Sequence, residues 1–546
     1  MQPNYRSEAK LAERMMPMLD ETIDGSKMED FGVDTAKKSS IFVSGKLAAL
    51  IFGAVLLIFL TRYLSLDGYG LYSVVYSYAT VLTLGGNFGI GTTFRKRLAD
   101  ARSYDERSKL LANGYFLAIV LGLVLTLAGI AVSPAIAEFA YRNSALALPL
   151  EFAAATIFFS ILYNVTVSAL VGIGRVKVSG VVTVAYSLIQ LVMVVYLVLA
   201  GYGVLGAIAG ILGSLAVSSA IALAYLASST RIRLIRPERK YMSGIMKFAY
   251  PVLVSNFATM GLMSFAIDFL GVFVSSAVVG DYGAAFRVGR YVEVILVSTT
   301  FVLMPAFSKL FSDESLSKKI SSMYSNSMYY MLLFLVPVLA YGATVSVPLF
   351  RLFFSKAYSL GAIYFIIIEI GLAVSIIGNF AGALIVGYGD TKKFMKYQLT
   401  TIAIEMALLL VLTPLMQIYG VLISLFVVGP VVLDIVYMKA LKRQFSIKIA
   451  WAKLLRVVLP GIILGLVMAG LAILLRERLL LIAINFAVAV LLYPPLVVLF
   501  GGINKKNIEI LTKIGNKLGP AKVVLRYMLP YTMLFMKREG APDHHD

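Results

Sequence analysis

The residues of this chain most able to do chemistry are charged side chains set inside apolar runs, each of which costs on the order of 2.5–3.5 kcal/mol near a bilayer centre. Arg287, Arg290 and Glu293 recur every third residue within the run 283–307, which puts them on one stripe of a helix. Asp268, on the preceding run, stands about as far from the turn at 279–281 as Arg290 and Glu293 do, so antiparallel packing is expected to bring the four to a common depth. Two readings stand side by side. The arginines form a cationic wall for a phosphate or pyrophosphate, whose oxygens match a guanidinium fork. Alternatively, Asp268 and Arg290 form a buried pair that only joins two helices.

Glu369 and Glu405 lie about ten residues into their runs from opposite faces, hence both near mid-membrane at about 1.5 Å per helical residue. An acid at that depth either carries a proton or helps to bind Na⁺, or makes a single hydrogen bond to a neighbouring helix. Lys46 lines an inward cavity or snorkels to the inner headgroups. Tyr69, Tyr72 and Tyr76 form a second stripe, suited to stacking on sugar rings or to the outer aromatic belt and helix contacts.

Several chemistries are excluded. The chain has no Cys, and its two His are His544 and His545 near the end, so thiolate and histidine metal sites within the apolar runs are ruled out. A phosphate-cradling loop needs G-x-x-x-x-G-K-[ST], and Gly45-Lys46-Leu47 lacks both the upstream glycine and the hydroxyl. Gly85, Gly86, Gly89 and Gly91 end a helix rather than begin one, which suits close packing or a kink. Neither ATP hydrolysis nor any cofactor or bound metal is expected.

The elements that must position these residues follow from composition. With 60% apolar and 14% charged residues and a mean hydropathy of +0.87, the chain is an all-α integral membrane protein. About fourteen runs are long enough to span, near 39–63, 68–94, 110–133, 146–173, 179–200, 204–229, 247–279, 283–307, 326–347, 359–387, 396–416, 419–440, 455–475 and 479–501. Of the 49 Lys and Arg, 41 fall in one set of loops and the termini, leaving 8 for the opposite set. The positive-inside rule therefore puts both termini in the cytoplasm. The same rule accounts for the net charge of +20 without a nucleic-acid partner.

Residues 1–38, rich in acids and lysines, predict a soluble, mobile leader and not a signal peptide. The basic run Arg231–Lys240 within 230–246 reads as a cytoplasmic linker on anionic headgroups or as a plain stop-transfer cluster. After 502, Ile508, Leu511, Ile514 and Leu518 among lysines predict an amphipathic cytoplasmic tail helix to 546.

The run Arg62–Arg97 returns at a shift of 213 residues: Tyr69, Gly70, Val75, Tyr78, Val81, Phe88, Phe94 and Lys96 match Tyr282, Gly283, Val288, Tyr291, Val294, Phe301, Phe307 and Lys309. One ungapped offset implies duplication, so 39–229 and 247–440 read as two pseudo-symmetric six-helix lobes, with 441–501 as an added helix pair. At the shift, Asp268, Arg287, Arg290 and Glu293 answer to Val55, Val74, Ser77 and Thr80, so charge is confined to the second lobe.

R-x-L-x-x-D-x-Y-G-L-Y at 62–72, L-G-G-N-F-G-I-G at 84–91, K-F-A-Y-P at 247–251, D-Y-G-A-A-F-R at 281–287 and M-P-A-F-S-K at 304–309 resemble the polysaccharide (O-antigen type) flippases of the multidrug/oligosaccharidyl-lipid/polysaccharide exporter superfamily. The resemblance covers roughly 39–500 and implies a cavity between lobes that opens alternately to each side. It further implies movement of a polyprenyl-(pyro)phosphate-linked oligosaccharide across the plasma membrane by a monomer, with membrane lipids as its other partners and no bond made or broken. Coupling to H⁺ or Na⁺ would fall to Glu369 or Glu405. A multidrug or small-molecule antiporter of the same superfamily is the alternative, disfavoured by the extra helix pair and by Arg287 and Arg290. An intramembrane glycosyltransferase is disfavoured by uniformly short outer loops.

Overall fold

The computed structural model describes residues 45, 48–87, 89–101, 103–229, 236–256, 260–310, 317–388, 390–447, 449–475, 479–504, 507–508 and 530–535. The expected leader, Lys46, Arg231 and Arg233 of the linker, and most of the expected tail helix lie outside them. Among the described residues there is no β-strand.

The first lobe consists of α1 (Ala48–Tyr63), α2 (Leu66–Asn87), α3 (Ile90–Asp100), α4 (Tyr104–Ala135), α5 (Ala147–Gly172), α6 (Val176–Leu197) and α7 (Gly203–Ser229). The second follows as α8 (Arg239–Asn256), α9 (Leu262–Phe273), α10 (Ser276–Leu310), α11 (Ser317–Phe353), α12 (Ser359–Val374), α13 (Ile376–Gly387), α14 (Thr391–Met416), α15 (Ile418–Leu422) and α16 (Gly429–Phe445). The added pair is α17 (Trp451–Leu474) and α18 (Leu480–Leu499). By length and composition, nine helical stretches among the described residues can cross a membrane, one of which, Val176–Ser229, runs through both α6 and α7. Shorter apolar helices occupy 48–63, 262–273 and 376–387. Helix lies within each of the fourteen expected runs, but several runs are broken into two pieces.

In the first lobe α5 is central, packing against α4, α7, α2 and α3. Its buried face carries Leu150, Ala153, Ala154, Ile157 and Ile161, the i, i+3, i+4 spacing of a helix enclosed on that side. In the second lobe α10 packs on α12 and α13, and α11 packs on α12 and on both helices of the added pair. A second buried cluster therefore forms around Tyr324, Tyr329, Phe380, Tyr437 and Tyr493, separate from the one centred on α5.

The glycines of 84–91 act as packing and breaking residues. Gly89 adopts φ 67°, in the left-handed region, and separates α2 from α3. A Cβ at Gly86 would collide with Ile161 on α5, and one at Gly91 with the Ser168 hydroxyl. Gly85 faces open space.

The expected linker 230–246 is shorter than the sequence suggests, because α8 begins inside it at Arg239. Ahead of α8 the Glu238 backbone N–H donates to Asn113 Oδ1 at 2.7 Å, and the Glu238 carboxylate lies 3.7 Å from Lys109 Nζ. The start of the second lobe is thereby tied to α4 of the first.

Candidate functional site

The lobes meet along α2 and α10, the two copies of the repeated run. A Cβ at Gly70 would collide with the Ser276 carbonyl oxygen and one at Gly280 with that of Leu66, so the backbones cross in direct contact at the start of both helices. Nearby, Arg62 Nε donates to the Phe353 carbonyl at 2.9 Å, and its Nη2 donates to that of Leu352, closing the last turn of α11 from across the seam.

Deeper along the seam, the stripe Arg287, Arg290, Glu293 divides. Residues three apart on a helix drift by about 60° per step, so the stripe fans around α10 and does not face one way. Arg287 turns to the first lobe. Its guanidinium carbon lies 5.7 Å from the ring centroid of Tyr69, 4.9 Å from that of Tyr72 and 4.7 Å from that of Tyr76, and Nη1 donates to the Tyr72 hydroxyl at 3.3 Å. This is a cation–π cage contributed by a different lobe from the cation. Tyr69 and Tyr72 are fully buried in it, not placed in an aromatic belt, while Tyr76 remains 40% exposed.

Arg290 turns into the second lobe and pairs with Glu293 at 2.6 Å. This corrects the expected Asp268–Arg290 pair. Glu293 is one turn away on the same helix, so its partnership needs no second helix to be placed. Asp268 on α9 faces the first lobe instead, where its Oδ1 accepts from the Ser77 hydroxyl and its backbone carbonyl accepts from Tyr141 Oη at 3.2 Å. Ser77 is the counterpart of Arg290 under the repeat, so a hydroxyl holds Asp268 where a cation was expected.

Arg290 and Glu293 line a cavity of about 140 Å³ together with Glu405, Ser375, Gly289 and Met263. Counting formal charges, it carries one cation against two carboxylates. Glu369 is not in it. The side chain is 2% exposed and presses on Gly342 of α11, and among the described residues its Oε2 has no hydrogen-bond partner. Glu369 and Glu405, both expected at mid-depth, thus serve separate surroundings.

A matching cavity of about 170 Å³ lies in the first lobe, among α2, α5, α6 and α7, lined by Tyr76, Thr80, Thr83, Thr156, Ser160 and Tyr186. The shift of 213 carries Tyr76 and Thr80 onto Gly289 and Glu293, so the two cavities occupy the same niche of each repeat.

Two further acids escaped sequence reasoning. Asp281 Oδ1 accepts from the Gly361 N–H at 2.9 Å and Asp434 Oδ1 from the Gly378 N–H at 2.7 Å. They satisfy orphan donors at the starts of α12 and α13, the two pieces of a run broken at Ser375. The signal for Asp434 was available as a lone acid inside the apolar run 419–440. Among the described residues no cluster of three or more His, Cys, Asp or Glu is arranged to hold a metal ion.

Comparison with known proteins agrees with this architecture. A sequence profile of the polysaccharide biosynthesis protein family matches residues 35–311. No curated protein matches the chain. The solved structure of lipid II flippase MurJ in an inward closed conformation is similar with a TM-score of 0.68 at 14% identity, over 84% of this chain and 97% of that one. An inward-facing multidrug resistance MATE transporter of the MOP superfamily gives 0.59 at 18% identity, over 73% and 94%. An outward-facing one gives 0.51 at 17% identity, over 75% and 95%. With a repeat of two helical lobes, a seam built from its two copies, and a profile match over half its length, the chain belongs to the polysaccharide biosynthesis protein family and has the fold of the MOP-superfamily transporters.

Proposed function

We propose that the protein is a flippase that moves a polyprenyl-(pyro)phosphate-linked oligosaccharide across the plasma membrane by alternating access, without making or breaking a bond. The observation that carries this reading is Arg287. It is a cation contributed by one lobe and held by three tyrosines of the other, at the surface where an alternating cavity has to open. A guanidinium released from the cage as the lobes part offers its fork to a phosphate. The seam contacts at the starts of α2 and α10 support a state closed on that side. The 41:8 division of basic residues makes that side the outer one, with fourteen crossings and both termini in the cytoplasm. The unit of transport is the monomer.

Transport is coupled to H⁺ or Na⁺ through Glu369 or Glu405. Glu→Gln at each position should remove any response to an imposed pH or Na⁺ gradient, and wild-type gradient dependence in the double variant would make both acids structural. For the orientation, cysteines at Ser103 and Ser446 should resist impermeant thiol reagents in intact cells and one at Ser144 should react. Labelling of Ser103 from outside would reverse the topology.

One observation favours a second reading. The excess of carboxylate around Glu405 suits an organic cation, as in an ion-coupled multidrug antiporter. The deciding experiment is transport in proteoliposomes with two substrates, a polyprenyl diphosphate-linked oligosaccharide and a lipophilic organic cation. Movement of the lipid alone supports the flippase, and movement of the cation alone overturns it.

A further inference from the structure

The first-lobe cavity has no part in a reading built on charged groups, yet its lining is chemically specific. Tyr76, Thr80, Thr83, Thr156, Ser160 and Tyr186 give it six hydroxyls and two aromatic rings, and none of its lining residues is charged. An ionised ligand would lose its hydration there without gaining a counter-charge. Part of the hydroxyl donor capacity is already spent: Thr80 Oγ1 donates to the Tyr76 carbonyl at 2.9 Å and Thr156 Oγ1 to that of Ala153 at 2.6 Å. Ser160 Oγ faces Asn164 Nδ2 at 3.4 Å and Oγ can still accept a second bond. The lone pairs that remain call for a ligand rich in O–H and N–H donors, and the tyrosine rings call for one with flat apolar faces.

Placement sharpens the chemistry. Tyr76 lines this cavity, and its ring lies 4.7 Å from the Arg287 guanidinium carbon, so one side chain joins the neutral pocket to the seam cation. A phosphate on Arg287 would deliver whatever is attached to it to the mouth of the pocket.

We propose that the first-lobe cavity is a sugar subsite, which takes the neutral sugar residue next to the phosphate of the transported lipid. The proposal rests on the lipid-linked substrate of the preceding reading and adds which lobe reads the glycan. The second lobe's cavity, lined by Arg290, Glu293 and Glu405, has one hydroxyl, that of Ser375, and no tyrosine, against six hydroxyls and two tyrosine rings in the first.

The test uses the full chain in lipid nanodiscs and two probes, bare polyprenyl diphosphate and the same lipid carrying one N-acetylhexosamine, with affinities from native mass spectrometry. Wild type should bind the sugar-bearing lipid about ten-fold or more tightly than the bare one, each productive hydroxyl contributing about three- to ten-fold. Thr83→Val, Ser160→Ala and Tyr186→Phe, which preserve shape, should each erode that preference, and together abolish it, while bare-lipid binding stays at the wild-type level. Intact bare-lipid binding also reports that the variants are folded. Arg287→Ala should weaken both probes equally and leave their ratio unchanged. Equal wild-type binding of the two probes, or an undiminished preference in the triple variant, overturns the sugar subsite and leaves the lipid-phosphate reading standing. Binding of neither probe by wild type overturns both.

Discussion

The two cavities sit at equivalent places in a duplicated fold and have opposite chemistry. In the first lobe the niche is closed by Tyr76 and Thr80, and in the second by Gly289 and Glu293, with Arg290 beside them. Duplication fixed the backbone of the niche and left its lining free to diverge, because a change of side chain on the cavity face does not disturb the buried face that holds the lobe together. The fold therefore preserves where a ligand can sit, while each copy decides what kind. Arg287 belongs to neither cavity. Its counterpart is Val74, so the cation between the lobes has no partner by symmetry and takes its environment from three tyrosines of the other copy.

The largest expected effect tests whether the seam common to both cavities is a backbone contact. Gly70→Val drives a side chain into the Ser276 carbonyl, which cannot rotate away, and should cost about 3 kcal/mol, the upper end of overpacking. A sharp loss of folded protein in size-exclusion profiles after heating is expected, whereas Gly85→Val, pointing into open space, should be nearly silent. Equal behaviour of the two would remove the backbone seam.

The charged cavity comes next. Arg290→Ala strands Glu293 opposite Glu405 and should cost about 2 kcal/mol, the range for a charge-assisted hydrogen bond, here moderated by partial exposure. The exchange Arg290→Glu with Glu293→Arg should recover most of it in membrane-fraction expression. Exchange of Arg290 with Asp268 should not, since Asp268 is held by Ser77. Rescue by the Asp268 exchange would restore the pairing expected from sequence.

Arg287→Ala should cost stability by only about 1–2 kcal/mol, the scale of a desolvated cation–π contact, yet abolish transport, with Arg287→Lys recovering part of it. Full transport in a well-expressed Arg287→Ala would remove the residue from the substrate path.

The smallest effect separates the lobes at the starts of α14 and α6. Asp390 accepts from the Lys393 backbone N–H at 3.1 Å and pairs with Lys393 Nζ at 2.9 Å, capping α14, whereas the equivalent α6 begins at Arg175 with no side-chain cap. The Lys393 hydrogen bond holds the Asp390 carboxyl below its ordinary range. Its contribution is therefore complete above the unfolded value of about 3.9 and is lost as pH falls through the lowered folded value. Asp390→Ala should cost about 1 kcal/mol or less at pH 7, with the difference from wild type shrinking in acid. A difference that grows below pH 4 would contradict the assignment.

The helical membrane fold, the internal repeat and the family were legible in the residues alone, because each is written in properties that accumulate along the chain. Apolar runs of about twenty residues declare spans, and one constant offset across eight matched residues declares a repeat. It also singled out Arg287, Arg290, Asp268, Glu369 and Glu405, since an ionisable group in an apolar run is costly and therefore conspicuous. Their partners came from the packing of the helices. A spacing of three names a stripe but not which neighbour each member meets, and the 60° drift sends Arg287 to one lobe and Arg290 to the other. The Tyr69–Tyr72–Tyr76 stripe is equally compatible with a lipid belt and a cation cage until α10 is laid across it. The hydroxyl cavity of the first lobe left no trace at all: Thr and Ser cost little in a membrane helix once they bond their own backbone, so nothing in hydropathy sets Thr80, Thr83, Thr156 and Ser160 apart until α2 and α5 bring them to one wall.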